Sequence, residues 1–123
     1  MDDFELEMKQ SFLEEAAQLV ADVEQCFLEL ESNPSSAENL NKIFRLAHNL
    51  KGSSKAVGFE EFSAFTHEFE TFILKVKNGE LAASAGVVSL LLRVNDRVSQ
   101  MIDGLRADLG AKFENGDLLT AMN

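Results

Sequence analysis

The stretch Ser84 to Leu109, SAGVVSLLLRVNDRVSQMIDGLRADL, decides the fold class. Val87, Leu91, Val94, Val98, Met101 and Leu105 recur at alternating steps of four and three. That spacing keeps apolar side chains on one side of a helix and is the seam of a packed bundle. Gly110 ends the run. No strand-like alternation, internal repeat or low-complexity tract competes with it in the rest of the chain.

Working back toward the N-terminus, three more segments carry the same signature. Phe12, Ala16, Leu19, Val20, Val23, Phe27 and Leu30 predict a first helix over about Asp3 to Glu31, with Asp2, Asp3, Glu5 and Glu7 at the positive end of its dipole. Ser32-Asn33-Pro34-Ser35 stops it, because proline cannot continue the hydrogen-bond ladder. A second helix begins at Ser35 or Ser36, with capping-box spacing between Ser35 and Glu38; Leu40, Ile43, Phe44, Ala47 and Leu50 form its apolar face, with Leu40, Ile43, Ala47 and Leu50 at its core positions. Gly52 to Gly58 is expected to interrupt or loosen it. A third helix spans about Phe59 to Lys77 on a stripe of Phe62, Phe65, Phe69, Phe72, Ile73 and Val76, which reads as core packing. Asn78-Gly79 stops it. Short connections make neighbouring helices antiparallel. The expected fold is therefore all-α, an antiparallel up-down four-helix bundle over about residues 3–109. In the tail, 110–123, a short fifth C-terminal helix could form over 115–122 or the end could fray.

Composition bounds the rest. The 123 residues suit one domain, 1–123, and 46% apolar residues rule out compositional disorder. Eleven Lys and Arg against 21 Asp and Glu give a net charge of −10, which excludes nucleic-acid binding as an expectation. Cys26 has no second cysteine to pair with and reads as a small buried hydrophobe in a reducing compartment. No apolar run approaches the ~20 residues of a membrane span and the N-terminus is acidic, so a soluble, cytoplasmic protein without membrane insertion is expected, monomeric as an isolated domain. The Met1 start and the Thr120 to Asn123 end read as a piece of a longer chain.

The chemistry-bearing segment is His48-Asn49-Leu50-Lys51-Gly52-Ser53-Ser54-Lys55-Ala56-Val57-Gly58. His48 lies about 100° around the helix from Ala47, at the edge of the apolar stripe or outside it. Arg45, Lys51 and Lys55 gather cations beside it in an otherwise acidic chain. Gly52, one turn on, costs up to ~1 kcal/mol in a helix interior, a cost that close access to something bulky would explain. On the third helix Thr66, His67 and Glu70 are expected on the side away from the Phe stripe. With the second and third helices antiparallel, Glu70 could reach the His48 ring and fix its tautomer, leaving the other nitrogen as a nucleophile. Lys51 would offset the charge of an incoming phosphoryl group. Two other readings stand beside this one. His48 could be a plain surface residue of a non-catalytic helical adaptor bundle that binds a partner protein. His48, His67 and Glu70 could also hold a metal, although the flanking cations oppose a divalent ion.

Ile43-Phe44-Arg45-Leu46-Ala47-His48-Asn49-Leu50-Lys51-Gly52, then Gly58-Phe59, Thr66-His67, Glu70 and Gly79-Glu80 resemble a histidine phosphotransfer (Hpt) domain, most closely the N-terminal phosphotransfer domain of bacterial chemotaxis histidine kinases. The likeness covers about residues 3 to 109. It implies that His48 is phosphorylated, that Glu70 hydrogen-bonds its ring, that Lys51 and His67 complete the site, and that Arg45, Gly52, Lys55 and Gly58 belong to a docking surface. It implies two kinds of partner: a kinase catalytic domain carrying ATP as donor, and response regulator receiver domains with an acceptor aspartate. It asks for no cofactor and no metal. Ser53-Ser54-Lys55 departs from the small residues frequent in the family at this point and bears on partner preference. No Gly-rich nucleotide loop or kinase metal-binding motif is present, so the chain reads as a relay and not as an enzyme on its own.

Overall fold

A computed structural model describes residues 2–123; Met1 lies outside it. Five helices follow one another: α1 (Asp3–Glu29), α2 (Ala37–Ala56), α3 (Glu60–Lys77), α4 (Ala85–Ala107) and α5 (Gly116–Met122). Each of the first, second and fourth starts on a side-chain cap. Asp2, Ser36 and Ser84 accept from the backbone N–H groups of Glu5, Asn39 and Val87. The cap of α2 is thus Ser36, and the expected Ser35–Glu38 capping box is corrected by one residue.

Chain direction follows from cross-helix contacts. Asn41, His48 and Lys51 on α2 meet Lys77, Glu70 and Ser63 on α3, so rising numbers meet falling ones and the pair is antiparallel. Phe12 and Phe27 on α1 meet Phe62 and Phe69 on α3, so these two run parallel across the diagonal. α1 packs on α2 and α4, and α3 on α2 and α4, the up-down arrangement read from the sequence. The core is the four apolar stripes, with Phe27, Phe62, Phe65, Phe69, Ile43, Leu50, Ile73, Leu91 and Met101 fully enclosed and Cys26 buried as expected.

The expected break at Gly52 does not occur: α2 runs unbroken to Ala56. One glycine costs a helix about 1 kcal/mol. Leu50 and the fully buried Ser54, on either side of it, hold the segment against the rest of the bundle. The turn comes six residues later, where Gly58 takes φ 87° and the Phe59 N–H donates to the Ser54 carbonyl. Thr66 is a second correction. It is fully buried within the Phe stripe, four residues after Phe62 and three before Phe69, and its hydroxyl donates to the carbonyls of Phe62 and Ser63.

The tail orders into α5, which packs on α3 and α4. Leu118 and Met122 are buried, and Arg97 donates to the Glu114 carbonyl and to Asn115 Oδ1, both at 2.7 Å. Phe113 lies so close to α4 that a Cβ on Gly104 would stand 2.8 Å from its ring. Among the described residues no helix is long and apolar enough to cross a membrane.

Candidate functional site

The site straddles α2 and α3. His48 sits on the outer edge of α2, its side chain 60% exposed. Glu70 follows the enclosed Phe69 on α3, and its side chain is only 13% exposed. Antiparallel pairing brings the two together: His48 Nδ1 lies 2.5 Å from Glu70 Oε2. Lys51, one turn after His48, donates through Nζ to the other carboxylate oxygen, Oε1, at 2.8 Å. Glu70 therefore holds both α2 side chains at once.

A carboxylate has no proton to give, so Nδ1 must be the donor. In the neutral ring this leaves Nε2 with the lone pair, on a side chain that is mostly open to solvent. Burial pushes the Glu70 carboxyl up. Hydrogen bonds from Lys51 and His48, and the charges on both, outweigh it and hold Glu70 below the ordinary carboxylate value. The orienting group thus stays ionised through the neutral range, which is what a fixed tautomer requires.

That shift has a stability consequence. A carboxyl whose folded-state value is depressed contributes fully above its unfolded value and loses that contribution as pH falls through the folded one. Glu70→Gln is expected to be about 1 kcal/mol less stable than the parent at pH 7 in urea denaturation, with the gap closing at acid pH once the parent carboxyl is protonated. A gap that stays constant with pH would contradict this account of the carboxylate.

The backbone beneath the site is pinned as well. The Lys51 carbonyl accepts from Ser54 Oγ at 3.1 Å and from Ser63 Oγ at 3.0 Å. Ser63 ties α3 to α2 within one turn of the histidine, and both serines are buried. Sequence reading passes them over because a serine inside a helix gives no signal of which carbonyl it will meet.

The other expected residues divide. Lys51 was read as a neighbour of incoming phosphate; its ammonium is bonded to Glu70. Arg45 and Lys55 are exposed and form no ion pair among the described residues. Gly52 is exposed one turn beyond His48, and a Cβ there would meet nothing within 4 Å. Gly58 is exposed at the foot of α2. His67 is exposed one turn before Glu70 and makes no hydrogen bond or ion pair among the described residues, so it stands outside the His48–Glu70–Lys51 cluster. Among the described residues no three His, Cys, Asp or Glu side chains are grouped to hold a metal ion, the set of His48, His67 and Glu70 included.

The family model described as the Hpt domain matches residues 7–108. The chemotaxis protein CheA of Salmonella typhimurium is 34% identical over 97 residues, covering 79% of this chain and 14% of the relative. The sensor histidine kinase CheAY of Helicobacter pylori is 33% identical over 116 residues, covering 94% of this chain and again 14% of the relative. The chain thus spans about one seventh of the length of these curated relatives. The CheA phosphotransferase domain from Thermotoga maritima superposes with a TM-score of 0.72 at 28% identity, covering 79% of this chain and 92% of that one.

Proposed function

Because this chain belongs to the Hpt domain family, we propose that His48 takes a phosphoryl group on Nε2 from ATP held by a separate kinase catalytic domain and passes it to an aspartate of a response regulator receiver domain. One observation carries this reading. Glu70 can only accept, so His48 donates from Nδ1 and offers the Nε2 lone pair on a solvent-facing ring.

In the first step the Nε2 lone pair attacks the γ-phosphorus, the N–P bond forms, and the P–O bond to ADP breaks with its electrons leaving on ADP. Nδ1 keeps its proton throughout. The positive charge that the ring acquires falls beside the Glu70 carboxylate, already ionised and aligned. In the second step a carboxylate oxygen of the receiver attacks phosphorus, the N–P bond breaks, and the electron pair returns to Nε2. Phosphoryl transfer asks mainly for position and charge neutralisation, and a chain of this size supplies the first through Glu70 and its bundle. Lys51 contributes by holding Glu70 in place, Arg45 and Lys55 by the positive field they present to a partner, and His67 by an exposed ring one turn from Glu70. In this reading the chain accepts the group and passes it on, and the activation of ATP belongs to the separate kinase domain. A donor that is ATP and the free thiol of Cys26 suit the cytoplasm.

Gly52 is where partner access can be tested. The fold leaves open space around its Cα, so Gly52→Ala is expected to stabilise the isolated chain, by about 0.5–1 kcal/mol. The same methyl stands on the exposed side one turn from His48. Incubated with a chemotaxis kinase catalytic core, labelled ATP and receiver domains, the parent chain should take up acid-labile label and pass it on. Gly52→Ala should do both several-fold more slowly. No label on the parent would overturn the relay reading. Equal rates for parent and variant would remove Gly52 from the docking surface.

A further inference from the structure

The imidazole of His48 is held at more than its edge. Phe44, one turn earlier on α2, lies nearly parallel to it, with ring centroids 6.2 Å apart and planes at 21°. Phe44 is half-buried against the core and so has little freedom to leave. Its ring is in turn held by Lys77 from the end of α3, whose Nζ stands 4.7 Å from the Phe44 centroid. That ammonium also donates to Asn41 Oδ1 at 3.1 Å, one turn N-terminal of Phe44. Along α2 the order is therefore Asn41 with Lys77, then Phe44, then His48, then the bare Gly52. The imidazole has an aromatic wall on one side and open ground on the other.

We propose that Phe44, clamped by Lys77, is a positioning residue for phosphoryl transfer, which backs the His48 ring and leaves the approach from the Gly52 side open. This rests on the reading of His48 as the accepting residue. The physical case is one of complementary restraints. The Glu70 hydrogen bond fixes the Nδ1 edge but permits the ring to swing about that bond. A flat surface against one face removes that swing, because turning the ring would give up stacking contact. Leucine at position 44 would keep an apolar side chain against the core and supply no flat face. Lys77 matters by holding Phe44 over a cation–π contact, which is why an exposed lysine at the far end of α3 belongs to this site.

The test uses four variants of the whole chain with a kinase catalytic core and ATP. Phe44→Leu is expected to lower the maximal rate of His48 labelling about three- to tenfold without raising KM for the kinase core. It should also abolish the ring-current displacement of the His48 carbon-bound protons in NMR spectra. Phe44→Tyr keeps the flat face and should restore both. Lys77→Met, at an exposed position, should move both readouts in the direction of Phe44→Leu by a smaller amount, and it carries the test should Phe44→Leu fail to fold. Wild-type rates in Phe44→Leu, or equal losses in Phe44→Leu and Phe44→Tyr, would overturn the positioning role, as would wild-type readouts in Lys77→Met if Phe44→Leu is unfolded. His48→Gln separates the two claims. Label on that variant overturns the accepting role of His48, whereas a blank His48→Gln beside an unimpaired Phe44→Leu overturns the role of Phe44 alone.

Discussion

Replacing His48 by Gln is expected to reduce phosphate incorporation from ATP and a chemotaxis kinase core to background, with the far-UV circular dichroism spectrum unchanged. The two halves of that expectation come from different features. Incorporation fails because glutamine has no ring nitrogen with a free lone pair; its amide nitrogen donates and its oxygen is a poor nucleophile toward phosphorus. The helices survive because the side chain is mostly exposed, and exposed substitutions stay within about 0.5 kcal/mol. Glutamine can still donate to Glu70, so the half-buried carboxylate keeps a partner besides Lys51. Labelling of the variant at the parent rate would move the phosphoryl group to some other side chain.

The largest effect on stability is expected one residue away from the site. Phe69 is fully buried, its ring 6.3 Å from that of Phe27 on the diagonal helix, and it precedes Glu70 directly. Phe69→Ala leaves a ring-sized void that a four-helix core closes only in part, at a cost of about 3–5 kcal/mol. For a chain of this length the melting temperature should fall by about 10–20 °C. Leu74→Ala, at an exposed position of the same helix, should change stability by less than about 0.5 kcal/mol and serves as the reference. A Phe69 variant no less stable than the Leu74 variant would contradict the packing described for α3.

The bundle was legible because helical periodicity is a property of neighbouring residues. The seam from Val87 to Leu105, the Phe stripe of α3 and the proline after α1 each report on a local conformation, and α1 to α4 lie within a few residues of their expected limits. Errors arose where tertiary packing outweighed propensity. Gly52 reads as a break, yet packing on both sides of it carries the helix through. Thr66 reads as polar and outward, yet it sits at core spacing and satisfies its hydroxyl on its own helix.

The site was half legible for the same reason. His48 and Glu70 could be paired from the expected antiparallel run of the second and third helices. The contacts of Ser63 with the Lys51 carbonyl and of Lys77 with Phe44 depend on the axial register of α2 against α3, which no short stretch of sequence encodes. Lys51 was assigned to the phosphate side on its charge. Its hydrogen bond to the carboxylate makes it also a partner of Glu70, a contact that depends on that same register.

Where the phosphoryl group sits on the ring decides whether Glu70 holds the His48 tautomer that leaves Nε2 free. With histidine nitrogens isotopically labelled and the chain phosphorylated by a kinase core and ATP, NMR identifies which imidazole nitrogen couples to phosphorus. The expected site is Nε2 of His48, with Nδ1 still protonated against Glu70. Coupling at Nδ1, or phosphate on the chain with no coupling to either His48 nitrogen, would contradict it.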